Sequence, residues 1–410
     1  MSEREITISE LGHRGDGIAL TESGPVYVSG ALPGETVRAG IAEGRARNPI
    51  IETRSPDRIE PICGHYERCG GCSLQHLAEK PYLAWKHGLV AKALGDRGID
   101  FPVSETVPAT EGGRRRAVLT ATRAGRHTVL GYHEKASHRL VDIAECPVLD
   151  PSIVSALQGL KSLAAEILPK KGELRIAVLA TTAGLDVAFD KADKGYESRI
   201  PALSRKIVEL GFARLSVNGE VLLEVRPPML DMNGIGIVPA PGGFVQATLA
   251  AEEALSRLVL AGVGKAKTVA DLFSGAGTFA LRLGAIANVH AVEGDAGAVA
   301  AFDKALRRAQ GLKKVTFERR DLFRRPLVRG ELEPYDAVVF DPPRAGAQAQ
   351  AEQLAVSKVK TVVAVSCNPA TLARDLRILI DGGYVLQSVT PVDQFAFSPH
   401  IEVVAVLKRE

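Results

Sequence analysis

No apolar run in this 410-residue chain approaches the ~18 residues that a membrane-spanning helix needs. The opening stretch MSEREITISE is charged and has no apolar signal core. Both absences predict a cytoplasmic protein. A large excess of one charge is also missing. The formal net charge is +3, so any nucleic-acid surface has to be a local patch rather than the whole molecule. Cysteine is scarce, with five residues at 63, 69, 72, 146 and 367. In a cytosolic chain, such close spacing argues for metal binding or catalysis rather than disulfides. No cysteine lies between Cys146 and Cys367, which suggests separate tasks for the early four and the late one. Internal repeats and low-complexity tracts are lacking, which leaves globular domains. The length and a 46% hydrophobic content allow two or three of them.

The pattern divides the chain into three parts. Residues 1–57 carry short alternating stretches, EITISEL, GIALTE, PVYVSGAL and TVRAGIAE, broken by Gly, Pro, Asp and Ser. Strands at this spacing predict a small β-barrel. Residues 58–240 read as a mixed α+β middle domain. It holds the cysteine cluster, a helix around Tyr82 to Leu94, hairpin strands in AVLTATR and HTVLGYH, a helix over 151–168, and further strands with one helix over 173–226. Over 241–410 strands alternate with helices: TVADLF, NVHAVEG, VTFERRD, YDAVVFD, TVVAVSC, YVLQSVTPVD and IEVVAVLKR. That alternation predicts a doubly wound, Rossmann-like α/β domain. The short loop before the final strand predicts that it runs antiparallel to an otherwise parallel sheet.

Two segments of the α/β domain carry chemistry. The first, Val269-Ala-Asp-Leu-Phe-Ser-Gly-Ala-Gly-Thr-Phe279, ends its first strand. Gly275 and Gly277 permit a tight turn and close approach of a ligand to backbone. Glu293 ends the second strand about twenty residues on, where an acid can reach ribose hydroxyls. A structural turn with a solvated acid is the plain alternative. Ala280 stands where a nicotinamide-binding loop carries its third glycine. Together with the preceding Asp-Leu-Phe-Ser, this favours an S-adenosylmethionine pocket. The second segment, Val365-Ser-Cys-Asn-Pro-Ala-Thr371, puts Cys367 at a strand end. The neighbouring strand ends in Asp341-Pro-Pro-Arg344. Adjacent strand ends converge on the ligand crevice of an open α/β sheet, so Asp341 and Cys367 are expected to share a cleft. A lone cysteine is more often inert core. The strand-end position and the Asn-Pro that follows argue otherwise.

DLFSGAGTF, DPPRAG, SCNPATLARD and the closing PHIE resemble the RNA uracil-C5 methyltransferase family. So do Cys63-x5-Cys69-Gly-Gly-Cys72-x-Leu-Gln-His76 and the later Cys146-Pro-Val-Leu, and the N-terminal barrel resembles that family's TRAM domain. The resemblance spans almost the whole chain. It implies an S-adenosylmethionine-dependent RNA methyltransferase with Cys367 as nucleophile and Glu402 as general base. It further implies cofactor contacts from Gln246, Phe273, Glu293 and Asp341, more loosely from Asp321, beside the turn at Gly275. Cys63, Cys69, Cys72 and Cys146 resemble the ligands of a [4Fe–4S] cluster. The chemistry explains why a thiol is needed. C5 of uracil is too weak a nucleophile to take a methyl group directly. Sulfur added at C6 creates an enolate with its density on C5, and a base must later remove the C5 proton so that the sulfur can leave. Two departures stand out. Thr278 occupies a position where many relatives have Asn. The stretch Gln394-Phe-Ala-Phe-Ser-Pro-His-Ile-Glu402 replaces the common Phe-Pro-His-Thr, which bears on substrate contacts.

Four thiolates suit a [4Fe–4S] cube or tetrahedral zinc. The Cys-x5-Cys-x2-Cys spacing differs from the paired Cys-x2-Cys of zinc ribbons and favours iron–sulfur. Radical enzymes need Cys-x3-Cys-x2-Cys, so the cluster is expected to be structural or RNA-positioning. From Arg114-Arg115-Arg116 to Arg139 there are seven Lys/Arg against one acid, Glu134. This run is expected to contact phosphates, with a solvated hairpin face as the alternative. The target uridine has to leave its stack to reach Cys367. The TRAM domain with a full cysteine set resembles the branch acting on 23S ribosomal RNA more than the transfer-RNA branch. The expected partner is therefore 23S rRNA, bound by a monomer without an obligate protein partner. Three other readings remain. A cytosine-C5 enzyme would carry cysteine where this chain has Asp341-Pro-Pro-Arg. An amino-group methyltransferase would not need Cys367. A non-catalytic iron–sulfur RNA-binding protein would not bind S-adenosylmethionine.

Overall fold

The computed structural model describes residues 3–109, 112–135 and 137–409. The outermost residues of the first and last predicted domains, 1–2 and 410, lie outside them. The chain opens with six strands: β1 (Glu3–Thr7), β2 (Glu10–Leu11), β3 (Gly17–Thr21), β4 (Gly24–Val28), β5 (Thr36–Ala42) and β6 (Arg45–Thr53). They pair in the order β1-β5-β6-β4-β3-β2 and curl into a small barrel around Ile6, Ile8, Val26, Val28 and Val37. β6 is absent from the sequence reading, because most of its side chains are exposed and no alternation marks it. Asn48, at φ 47°, and Pro49 form an irregularity where β5 skips from Arg38 to Gly40 in its pairing with β6. The buried Glu35 fastens the barrel to the cysteine segment by accepting from Arg58 Nε at 2.6 Å and Nη2 at 2.8 Å.

Helix α1 (Glu79–Gly95) follows the early cysteines. Its buried side chains Tyr82, Lys86, Val90 and Leu94 recur every fourth residue, the spacing of one helix face. Val90 and Leu94 join the core of the C-terminal α/β domain, together with Ile99.

The middle region is built on strands β7 (Arg116–Ala124), β8 (His127–His133), β9 (Leu140–Asp142), β10 (Leu174–Thr181), β11 (Gly184–Asp190), β12 (Arg214–Val217) and β13 (Glu220–Glu224). They form one sheet in the order β13-β12-β11-β10-β7-β8-β9, covered by α2 (Pro151–Ser155), α3 (Leu157–Ile167) and α4 (Ile200–Glu209). The helix expected over 151–168 is thus two helices that meet at Ala156. A hairpin of β14 (Leu230–Met232) and β15 (Ile235–Ile237) packs onto the α/β core.

The last region comprises α5 (Leu249–Val263), β16 (Thr268–Leu272), α6 (Ala280–Gly284), β17 (Asn288–Glu293), α7 (Ala296–Leu306), β18 (Val315–Arg319), α8 (Arg329–Leu332), β19 (Ala337–Phe340), α9 (Gln348–Ala355), β20 (Thr361–Ser366), α10 (Pro369–Asp381), β21 (Val385–Val392) and β22 (Glu402–Lys408). The sheet order is β18-β17-β16-β19-β20-β22-β21. β16 to β20 are mutually parallel, and β22 runs antiparallel to both neighbours, as the short final loop predicts. Alternate residues serve opposite faces: Val363 and Val365 join one core cluster, Val362 and Ala364 the other. Burial on both faces explains the apolar runs AVVF in β19 and VVAV within β20. The order reverses between β16 and β19, which opens a crevice at their carboxyl ends. Among the described residues, no helix is long and apolar enough to cross a membrane.

Candidate active site

The crevice begins where β16 ends. Asp271 is fully buried, and neither carboxylate oxygen has a hydrogen-bond partner among the described residues. Burial, with Asp341 close by, pushes its pKa well above the ordinary range. The chain then turns through Phe273 at φ 58°, a left-handed conformation costly for an aromatic residue. Gly275 (φ 55°) and Gly277 (φ 95°) continue the turn. Open space lies beside Gly275, whereas a Cβ on Gly277 would meet Phe302 at 2.4 Å. Glu293, at the end of β17, locks this turn: its carboxylate accepts from Gly275 N at 2.9 Å and Asp295 N at 2.7 Å. Beyond β18, Asp321 caps its own turn by accepting from Phe323 N at 3.0 Å. The exposed Phe323 ring lies 5.3 Å from that of Phe273. Gly275, Phe273, Glu293 and Asp321 therefore gather around one turn. Its open glycine backbone, aromatic pair and unpartnered carboxylate suit an adenosyl donor.

Two strands further along the sheet lies the second half of the site. Cys367 follows β20, and Asn368 starts α10 by accepting from Ala370 N at 3.2 Å. Asn368 Nδ2 and Thr371 Oγ1 both donate to Arg344 O, at 3.1 and 3.2 Å. Arg374 Nη2 donates to Ala345 O at 2.9 Å. The SCNPATLARD segment thus fastens the DPPRAG loop beside the cysteine. Burial pushes the Cys367 thiol up to about 11. Glu402 and Asp341 push in the same direction, and Arg344 opposes them.

Glu402 opens β22 and is 4% exposed. Its carboxylate accepts from Gln394 Nε2 at 2.8 Å. Gln394 Nε2 also donates to Gln246 Oε1 at 2.8 Å, and Gln246 Nε2 donates to Asp341 Oδ2 at 3.3 Å. A buried hydrogen-bonded chain therefore joins Asp341, Gln246, Gln394 and Glu402. Burial raises Glu402 to about 8, helped by Asp341, while Gln394 and Arg344 pull it down. Burial raises Asp341 to about 7, with Gln246 pulling it down.

The loop carrying Gln394 to Glu402 is held from behind. Asp393 accepts from Tyr82 Oη at 2.6 Å, Lys86 Nζ at 3.0 Å and Phe395 N at 2.9 Å. Lys86 also donates to His400 O. Phe397, at φ 59°, donates to Tyr82 Oη at 2.9 Å and accepts from Ser73 N at 2.7 Å and Leu74 N at 3.1 Å. The sequence reading gives Lys86 no role and names Gln394 only as the first residue of the departing loop. Lys86 leaves a trace there, a cation four residues from Tyr82 and Val90 on one helix face. Gln394 leaves only that departure.

Cys63, Cys69, Cys72 and Cys146 line one cavity of about 490 Å³, which also touches Arg114, Arg344, Phe395 and His400. All four thiols are free. Burial raises Cys63, Cys72 and Cys146, with the neighbouring thiols contributing. Among the described residues, no three His, Cys, Asp or Glu side chains close on a single metal ion.

The basic run needs correction as a phosphate-binding surface. Arg115 is buried and donates to Glu252, whose other oxygen accepts from Arg282 at 2.7 Å. Arg116 donates to the carbonyls of Gly243 at 3.1 Å and Gly242 at 3.3 Å. Lys135 sits 3.9 Å from the centre of the Tyr66 ring. Only Arg123, Arg126 and Arg139 of that run are exposed.

Comparison with known proteins agrees with this geometry. Residues 264–410 match the tRNA (uracil-5-)-methyltransferase family, and residues 1–47 match the TRAM domain. An uncharacterized RNA methyltransferase of Rhizobium meliloti is 48% identical over the full length of both chains. The 23S rRNA (uracil(1939)-C(5))-methyltransferase of Aeromonas hydrophila is 31% identical over 99% of this chain and 96% of its own. The chain belongs to the RNA uracil-C5 methyltransferase family. These enzymes use S-adenosylmethionine as methyl donor. The solved tRNA (uracil-54, C5)-methyltransferase of Pyrococcus abyssi, in complex with S-adenosyl-L-homocysteine, superposes with a TM-score of 0.78 at 26% identity, over 98% of this chain and 99% of that one.

Proposed function

We propose that this methyltransferase modifies C5 of a uridine in 23S ribosomal RNA through a covalent bond from Cys367, with Glu402 as general base. The observation that carries this reading is the buried chain Asp341–Gln246–Gln394–Glu402 beside Cys367. S-adenosylmethionine supplies the methyl group, held by Gln246, Asp341 and the turn from Phe273 to Gly275 with Glu293 and Asp321. The Cys367 thiol gives up its proton to solvent, the thiolate sulfur bonds to C6 of the uracil, and the C5–C6 electron pair moves toward O4 as an enolate. C5 then takes the methyl group as the sulfonium S–CH3 bond breaks, with S-adenosylhomocysteine as the leaving group. Glu402 removes the C5 proton, the double bond re-forms and the sulfur leaves. Two features support Glu402 as base. Its raised pKa suits proton exchange near neutrality, and it shares a cleft with the thiol. The full-length match to the Aeromonas enzyme favours ribosomal RNA and the uridine at 1939. The Pyrococcus structure favours a second reading, a transfer-RNA uridine.

Cys63, Cys69, Cys72 and Cys146 would hold a [4Fe–4S] cluster. Four free thiols around one roomy cavity fit a cube, which bonds each thiolate to a different iron. It would supply a rigid cross-link behind the Ser73–Phe397 contact.

RNA carrying 5-fluorouridine at the target tests the mechanism, because no C5 proton can then be removed. Wild type and Glu402→Gln should form a stable RNA adduct, and Cys367→Ala should form none. Glu402→Gln should also stall on ordinary RNA. Normal methylation by Cys367→Ala would overturn the mechanism. Ribosomal or transfer RNA from a deletion strain lacking 5-methyluridine identifies the substrate. Iron and sulfide analysis of anaerobically purified protein decides between the cube and zinc.

A further inference from the structure

Gln394 lies between the two halves of the site, and no step of the mechanism above assigns it a role. We infer that it is a positioning residue for proton removal, holding Glu402 in place and tying it to the cofactor-side pair Gln246–Asp341. The inference rests on the reading of Glu402 as base.

Gln394 is 1% exposed and every polar atom of its amide is used. Its Oε1 accepts from Ala247 N at 2.8 Å, and a backbone N–H cannot reverse its role. That contact fixes which end of the amide is oxygen, so Nε2 must face Glu402 and Gln246. Gln246 in turn must present its oxygen to Gln394 and its nitrogen to Asp341. The direction of the whole chain is therefore set by one main-chain donor. One Glu402 oxygen is held by Gln394, and among the described residues no hydrogen bond reaches the other, which leaves it for the C5 proton.

The backbone on either side is equally constrained. Asp393 is pinned by Tyr82, Lys86 and Phe395 N, so the Gln394 side chain starts from a fixed point. A donor aimed at Glu402 also favours its ionised form, the form a base requires. Without that donor the carboxylate would gain rotational freedom and hold its proton to higher pH.

Two substitutions test this. Gln394→Met keeps the bulk and removes both the donor to Glu402 and the acceptor for Ala247 N; Gln394→Glu keeps the shape and that acceptor and sets a carboxylate against Glu402. Both should still form the 5-fluorouridine adduct, slowed far less than turnover, because that step precedes proton removal. On ordinary RNA both should turn over about tenfold slower or worse, the cost of one hydrogen bond to a charged group. The acid limb of the rate profile should move to higher pH. The inference is overturned if either variant, folded by circular dichroism, turns over ordinary RNA at the wild-type rate with an unmoved limb. It is equally overturned if adduct formation slows as much as turnover, which marks a general structural role. Failure of the underlying reading looks different: Glu402→Gln would release methylated RNA normally while Gln394 is intact.

Discussion

Glu402 and Asp341 share a buried site, and each carries a carboxyl whose ionised form is disfavoured there. Between the ordinary carboxylate range and about pH 8, the folded chain therefore holds protons that the unfolded chain has lost. Stability from this pair is present at low pH and drains away as pH rises through the folded values. Glu402→Gln carries no charge to bury, so its Tm relative to wild type should climb from about pH 5 to about pH 8 and level off above that. Thermal unfolding across that range measures it; a flat difference would contradict the sign. Cys367 and Glu402 are legible in the sequence because each sits in a short motif at a strand end. Gln394 is not. A glutamine in this loop carries no mark of what it touches, because its partners Gln246 and Ala247 lie about 150 residues away, at separations of 148 and 147.

At the scale of elements, the Arg115–Glu252–Arg282 triad joins the start of β7 to helices α5 and α6. Arg115 also donates to Gln246 O at 3.2 Å, and Arg282 to Thr278 O at 2.7 Å. The triad thus braces Gln246 on one side and the glycine turn ending at Thr278 on the other. Glu252→Ala would leave two guanidiniums desolvated and unpaired, at a cost of about 3–5 kcal/mol. Urea unfolding should show that loss, and a change below about 1 kcal/mol would show that water or movement relieves the charge. The sequence misleads here for a physical reason. Three consecutive arginines look like a phosphate patch, because nothing nearby reveals that Arg115 faces a carboxylate 137 residues further on.

Over the whole molecule, legibility follows burial. The C-terminal sheet can be read almost strand by strand, because its strands are covered on both faces and punctuated by helices. The barrel reads less well, since β6 lies mostly in solvent and carries a proline. The sequence also does not reveal that α1 leaves the cysteine segment to pack on the α/β core, because apolar residues are spread around the helix and a lysine sits on its buried face. That packing has a kinetic consequence. The loop before β22 is fastened by Lys86–Asp393 and Tyr82–Phe397, contacts spanning 307 and 315 residues. Such distant closures carry a large entropic cost and form late. During refolding from denaturant, helical signal should return first, then Trp85 fluorescence as α1 docks, and the ability to trap fluorinated RNA last. A chain caught midway would be well ordered to a spectrometer and inert toward its substrate.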